Sequence, residues 1–393
     1  MKVQMTHIVN VNKEVPLLRF REFEGIWTRE KFKGLVKINQ GLQIPISERY
    51  TEEVDNSYFY ITNEFLKAKS DKKYYIKNPN KSVLCDVDDI LMTRTGNTGM
   101  VVTNVKGAFH NNFFKIAYPS TIDKDFLFYF LNLTNTQNTI KRLAGTSTIP
   151  DLNHSDFYRI DFPITTLPEQ QKIASFLSAV DEKLQQLSKK KNLLEEYKKG
   201  VMKQIFSQEL RFKDDNGNNY PDWEEKKLGD ISRISIGEFV IRTKQSPDYN
   251  YPVYNGGKSH TGFYDSYNNE GDKIIISARG ANAGFVNYEK GRYWAGNSCY
   301  SVDIINKNIN NVLFMYSYIK HKQYLFTHFQ QAANIPSVSK KDAQVFKIIC
   351  PIFEEQKKIA NFLSSLDSKI DLVSIQIENT KVFKKGLLQQ MFV

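Results

Sequence analysis

The chain has 393 residues, enough for two or more folded units that each bury a sizeable core. Its 41% apolar and 25% charged residues are an ordinary globular mixture, which excludes fibrous and wholly disordered classes. The net charge of +11, from 54 basic and 43 acidic side chains, is spread along the whole length; this suits a long polyanion touching several parts of the protein as well as it suits a solvated basic surface.

In chain order, the first segment, 1–167, opens without an apolar signal core and cleavage site, and no uncharged apolar run long enough to span a membrane follows anywhere. The expectation is a cytoplasmic protein with no membrane partner. Short β-rich runs at 36–46, 58–62, 87–93 and 112–117, then a helical stretch at 125–132, give an α+β body. A long uninterrupted helix is expected over 168–208, with Pro168 in the first turn where it is tolerated. The segment 209–354 is a second α+β body, with strands at 231–236, 273–278 and 299–305 and a helix at 312–319, and 355–393 is a second long helix.

The two helical segments repeat each other. EQQKIASFLSAVDEKL at 169–184 aligns without gaps to EQKKIANFLSSLDSKI at 355–370, and YKKGVMKQIF at 197–206 to FKKGLLQQMF at 383–392, all at an offset of 186. Steps of four and three residues trace one apolar seam on each copy. The first seam holds Ile173, Leu177, Val180, Leu184, Leu187, Leu194, Val201 and Ile205, broken by Lys191 and Lys198. The second holds Ile359, Leu363, Leu366, Ile370, Val373, Ile377, Leu387 and Met391, broken by Thr380 and Lys384. A stripe that long must be covered, and the only equally long partner in the chain is the other copy, so an intramolecular antiparallel coiled coil is the economical answer, with another subunit as the competitor. Lys198 and Lys384, at equivalent seam positions, mark where the helices splay or meet a partner, or else pack their stems and leave their ammonium groups in water.

The bodies match only in punctuation: Trp27 with Trp223, Gly41 with Gly237, and Leu18-Arg19-Phe20 with Leu210-Arg211-Phe212. Two glycine turns also correspond, Arg94-Thr-Gly-Asn-Thr-Gly99 and Arg279-Gly-Ala-Asn-Ala-Gly284. Glycine permits close backbone approach there, while Arg94, Asn97, Thr98, Arg279 and Asn282 are types that reach base edges or phosphates. Thr146, Ser147 and Thr148 before Pro150, and Asn334 before Pro336, are candidates for fixing register on DNA phosphates, though simple turn formation explains them equally. Lys258 joins these DNA-binding candidates. Aromatic runs such as 58–60 and 126–130 are read mainly as core.

Catalytic motifs fail. Gly256-Gly-Lys-Ser259 resembles the end of a phosphate loop, but the first glycine that loop needs falls at Pro252. Pro221-Asp222 with Glu224 and Glu225 superficially matches a nuclease pattern, but its carboxylates are nearly adjacent. No dinucleotide fingerprint and no Asn- or Asp-Pro-Pro-aromatic motif for amino-group methylation is present. The six histidines form no metal spacing, and Cys85, Cys299 and Cys350 are read as buried thiols, so no metal site is expected.

This order of body, repeated helix, body and repeated helix resembles the specificity subunit of type I restriction-modification systems, over essentially the whole chain. The doubled E-Q-x-K-I-A-x-F-L-x-x-x-D-x-K-[LI] helix carries the resemblance, with the Trp223-Glu-Glu-Lys-Lys-Leu-Gly-Asp230 opening of the second body. The first body, at Trp27-Thr-Arg-Glu-Lys-Phe-Lys, lacks that Leu-Gly. The resemblance implies two target-recognition domains, each reading half of an asymmetric bipartite sequence in double-stranded DNA. The helix pair would set the unread gap and dock two methyltransferase subunits, with restriction (motor-nuclease) subunits joining. It implies no cofactor on this chain: S-adenosylmethionine, ATP and Mg belong to partner subunits that methylate adenine and cleave DNA. A two-headed protein adaptor without DNA is the alternative, and a single-chain restriction enzyme a weaker third.

Overall fold

The computed structural model describes residues 5–7, 15–67, 70–145, 148–329 and 336–393, with backbone alone at 5–7 and 327–329. Two compact units emerge, and each takes part of both long helices. Unit 1 runs to Leu187 and adds Gln376–Val393; unit 2 is Ser188–Ile375.

In unit 1 the strands Lys37–Gln40, Phe113–Ala117, Ile90–Thr93 and Val101–Val102 form an antiparallel sheet in that spatial order. Strand Ile90–Thr93 is buried at every position, so it reads as an unbroken apolar run rather than an alternation. A second sheet pairs Ser57–Ile61 with Gly107–Phe109 in parallel. The expected strand at 36–46 stops at Gln40 because Gly41 packs directly on the Phe109 carbonyl, where a Cβ would lie 2.1 Å from the oxygen. The helix Lys124–Asn132 is capped by the Asp123 carboxylate, which accepts from Phe126 N–H, and it sends Phe126, Leu127, Phe130 and Leu131 into the core.

Unit 2 repeats this plan with different residues. Strands Ser232–Ile236, Cys299–Ile304, Lys273–Ser277 and Val286–Glu289 form its antiparallel sheet, and Tyr251–Tyr254 pairs in parallel with Trp294–Ala295. Gly237 sits 2.2 Å, as a hypothetical Cβ, from the Ala295 carbonyl oxygen. Asn311 caps the helix Val312–His321 through Phe314 N–H, as Asp123 does in unit 1. Where the first body lacks Leu-Gly, Phe32 takes the slot of Leu228: both are fully buried, and each donates its N–H to a carbonyl, of Ile160 and of Phe346 respectively.

The long helices span Leu167–Phe206 and Phe353–Gln390, the first about 60 Å long at 1.5 Å per residue. Every apolar seam position is buried or half-buried, and so are Lys191, Lys198, Thr380 and Lys384. Inside unit 1 the Lys384 ammonium pairs with Asp181, which also accepts from the Tyr129 hydroxyl at 2.8 Å. Inside unit 2 Lys198 pairs with Asp367. The two lysines therefore neither mark a splay nor point into water: each bridges to the other helix.

The His110 imidazole of unit 1 accepts from Asn112 N–H and packs against the Tyr60 ring. Burial, and then the Arg49 charge, push its pKa down to about 4 from 6.5. The folded state thus prefers the neutral ring, so this stabilisation is complete above pH 6.5 and drains away as pH falls towards 4. Urea midpoints of unit 1 are expected to decline across that window less steeply in His110→Gln. Parallel slopes for the two proteins would dismiss His110 as the titrating group.

Candidate nucleic-acid interface

In unit 2 the turn at 279–284 leaves the end of strand Lys273–Ser277, and the loop at 255–259 leaves strand Tyr251–Tyr254; the structure packs the two together. Gly256, at φ +80°, lets the loop pass the Arg279 carbonyl, which a Cβ there would approach to 2.9 Å. The Gly257 carbonyl accepts from the Ser277 hydroxyl at 3.1 Å and the Asn287 amide at 3.4 Å. Gly280 N–H donates to the Pro336 carbonyl and Val338 N–H to that of Ala278, stitching a third segment alongside. Arg279 and Lys258 are exposed on this assembly, and Asn282 is half-buried with its amide against the Gly256 carbonyl at 3.5 Å. An open cavity of about 480 Å³ in the same unit is walled by Phe239, Tyr249, Tyr264 and Trp294.

Unit 1 builds the equivalent turn differently. The Arg94 guanidinium donates to the Asp151 carboxylate at 2.6 Å, lies over the Phe114 ring, and is only 18% exposed. Its carbonyl accepts from Leu152 N–H, and the Thr98 hydroxyl donates to the Pro150 carbonyl at 2.7 Å. Arg94 and Thr98 thus tie the turn to the loop at 148–152. A salt bridge and a ring beneath it hold the arginine where sequence alone showed only a basic residue beside glycine. Asn97 and Thr148 are exposed; Thr146, Ser147 and Asn334 lie outside the described residues. The aromatic run at 126–130 is buried apart from a half-buried Phe128, whereas Tyr58 is 41% exposed.

The strongest repeated chemistry is one that residue type alone did not disclose. Arg19 forks onto Glu169 (Nε to Oε1 2.7 Å, Nη2 to Oε2 2.9 Å), and Arg211 forks onto Glu355 at 2.9 and 2.8 Å. The following glutamine does the same work twice. Gln170 accepts from Asp123 N–H and donates to the Thr121 and Thr165 carbonyls; Gln356 accepts from Asn311 N–H and donates to those of Ile309 and Pro351. All four acceptor side chains are fully buried. The Leu-Arg-Phe and Glu-Gln repeats were visible in the sequence, but nothing local told that they are partners.

Burial pushes the Cys85 and Cys299 thiols up to about 11, which leaves them protonated at neutral pH. Among the described residues no group of three His, Cys, Asp or Glu side chains is placed to hold a metal, and no helix is long and apolar enough to cross a membrane.

Comparison with known proteins finds one domain twice in the chain. The type I restriction modification DNA specificity domain matches residues 26–196 and again 220–380. The type I restriction enzyme MjaVIII specificity subunit of Methanocaldococcus jannaschii is 28% identical over 232 residues, 56% of this chain and 53% of that protein. The putative MjaX specificity subunit of the same organism is 27% identical over 289 residues, 68% of this chain and 67% of that one. The chain therefore spans about half the length of the first of these relatives and two thirds of the second. Among solved structures, a type I restriction-modification S subunit from M. genitalium superposes with a TM-score of 0.69 at 21% identity, over 96% of this chain and 99% of that one. A chain from a structure describing complex assembly and conformational transition of the type I R-M system gives 0.53 at 15% identity, over 93% and 97%. Matched twice by one domain over most of its length, the chain belongs to the family of type I restriction-modification specificity subunits.

Proposed function

We propose that this chain is the addressing component of its restriction-modification complex. Each body reads one half of an asymmetric bipartite sequence in double-stranded DNA, and the paired helices set the unread gap and dock two methyltransferase subunits. The restriction (motor-nuclease) subunits join that assembly. S-adenosylmethionine, ATP and Mg serve the partners, which methylate adenine and cleave DNA, while this chain supplies no catalytic group. The reading puts the complex in the cytoplasm with its DNA.

One observation carries the proposal: the duplication retains the side chains that fix a helix to its body, Arg19 and Arg211, Glu169 and Glu355, Gln170 and Gln356, and lets the loops diverge. Constant attachment with unlike surfaces is what two different half-sites on one frame demand. Arg279 and Lys258 supply an exposed guanidinium and ammonium on unit 2, suited to a guanine edge and a phosphate.

The test compares specific and nonspecific DNA affinity of the assembled complex at one salt concentration. Arg279→Ala is expected to cost about 1–3 kcal/mol on the specific site and much less on random duplex. An unchanged ratio removes Arg279 from base reading. Binding to DNA that is absent at low salt, or indifferent to salt, would instead favour the protein-adaptor reading.

A further inference from the structure

The duplication shows a place that one body fills from within and the other leaves open. Past the glycine that rests on a strand carbonyl, Gly41 in unit 1 and Gly237 in unit 2, each body makes a short 3-10 turn, Ile46–Glu48 and Arg242–Lys244. In unit 1 Arg49 closes this region. It donates twice to the Ile44 carbonyl, at 2.9 and 2.7 Å, and its guanidinium lies over the Tyr60 and Tyr74 rings at 5.2 and 5.5 Å. Arg49 stands eight residues past Gly41; eight past Gly237 stands Gln245, whose amide donates instead to the Thr261 hydroxyl at 3.3 Å. The cavity of about 480 Å³ opens there, with Gln245 in its wall.

Its walls are flat rings held in place. The Tyr264 hydroxyl accepts from Ile241 N–H at 2.7 Å and donates to the Ile241 carbonyl at 2.9 Å, and its ring meets that of Trp294 edge-on at 5.2 Å. Phe239, which also lines the cavity, is 71% exposed, and Ile241 and Tyr249 are 40% exposed, an apolar cluster that marks a binding surface. Rings on several sides suit a planar occupant. The polar groups narrow its class. The Trp294 indole N–H is buried with no hydrogen-bond partner among the described residues, and an acceptor on the occupant would satisfy it. An arginine or ammonium ligand brings no acceptor, and Lys244 in the lining repels it. Asp265 and Ser246 line the same space and accept from amino groups. A nucleobase has two apolar faces, ring nitrogens and carbonyls that accept, amino groups that donate, and a phosphate for Lys244.

We propose that this cavity is a nucleobase pocket, and that its occupant is a single base turned out of the DNA that unit 2 binds. The inference rests on the functional reading above, under which this body binds duplex DNA. A base within a duplex has both faces covered by its neighbours, so only an extruded one can lie between these rings. The pocket is joined to the loop that carries Lys258: a Cβ at Gly296 would meet the Asn255 amide oxygen at 2.3 Å and Val240 at 2.8 Å, so the pocket wall packs across Gly296 onto the start of that loop. Unit 1, plugged by Arg49, takes no base at the corresponding place. A free nucleotide offers the same chemistry from another source.

The experiment titrates the full chain, at one salt concentration, with a fully paired duplex, with the same duplex carrying one unpaired bulged base, and with adenosine and thymidine monophosphates. The wild-type chain is expected to bind the bulged duplex at least about tenfold more tightly than the paired one, the effect of stacking one base on aromatic side chains. Phe239→Ala removes an exposed wall, and Gln245→Arg gives unit 2 the plug of unit 1; each should erase the preference for the bulge. Thermal midpoints of both variants should hold, which separates a lost pocket from a lost fold. A wild-type chain that binds paired duplex in a salt-dependent way but ignores the bulge overturns the pocket and leaves the functional reading intact. A preference that survives both variants arises elsewhere and also overturns it. Mononucleotide binding that depends on Phe239, with no effect of the bulge, assigns the cavity to a free nucleotide and overturns the DNA source. A chain that binds no DNA overturns the functional reading, and this occupant with it.

Discussion

Arg19→Ala is expected to destabilise unit 1 by roughly 3–5 kcal/mol, the usual cost of leaving one charge of a buried pair without its partner. The Glu169 carboxylate is fully buried and both its oxygens receive the arginine fork; among the described residues only the Thr165 hydroxyl would remain to it. Arg19 also donates to the Glu24 and Gly25 carbonyls, so the same substitution releases the loop that precedes Trp27. Lysine is no substitute, because a single ammonium cannot satisfy two carboxylate oxygens and two carbonyls in that fork geometry. Arg211→Ala should cost less: the Arg211 side chain is 23% exposed, and Glu355 keeps a donor in the Trp223 indole N–H at 3.2 Å. Hydrogen exchange resolved by segment measures both. If Arg19→Ala leaves protection of Leu167–Leu187 untouched, the fork is not what fastens the helix to its body. Arg19→Met combined with Glu169→Leu should recover much of the loss, because it removes the stranded charge along with its partner.

Gly41→Ala and Gly237→Ala are expected to be severely damaging single-methyl additions, each costing more than about 3 kcal/mol or preventing the body from folding. The obstructing atoms are backbone carbonyl oxygens, of Phe109 and Ala295, and neither is free to retreat. The Phe109 oxygen accepts from Leu42 N–H at 3.1 Å; that of Ala295 accepts from Glu238 N–H at 2.9 Å and from the Asn268 amide at 3.0 Å. The contact turns the chain out of the first sheet and onto the parallel strand pair, which in unit 2 carries the loop holding Lys258. Gly34→Ala is the control, since a Cβ there meets nothing within 4 Å. Urea midpoints of the full chain should fall for Gly41→Ala and hold for Gly34→Ala; coincident curves would refute the close approach.

Both predictions concern residues that the sequence marks by repetition without saying why. Gly41 and Gly237 recur at one offset, and Leu-Arg-Phe recurs at another, yet the partners of these residues lie far away along the chain: 150 residues separate Arg19 from Glu169. A hydrogen bond across that distance leaves no periodicity, composition or spacing behind it. The contacts that residue type did not disclose share this cause. Arg94 has the type and neighbours of a base reader, and its pairing with Asp151 over the Phe114 ring depends on a loop more than 50 residues downstream. Lys198 and Lys384 interrupt an apolar seam, and only the facing helix supplies the aspartates that make the interruption favourable.

What the amino-acid sequence determined by itself is local and periodic: two long helices with one apolar face each, a duplication, two α+β bodies and their order, because helix stripes and strand runs are written in neighbouring residues. What only the tertiary structure decided is pairing: which carboxylate meets which arginine, which glycine rests on which carbonyl, and which basic residues remain at the surface. Pairing follows from how the chain packs in three dimensions, where residues remote in sequence share one buried site and must satisfy one another's charge and hydrogen bonds.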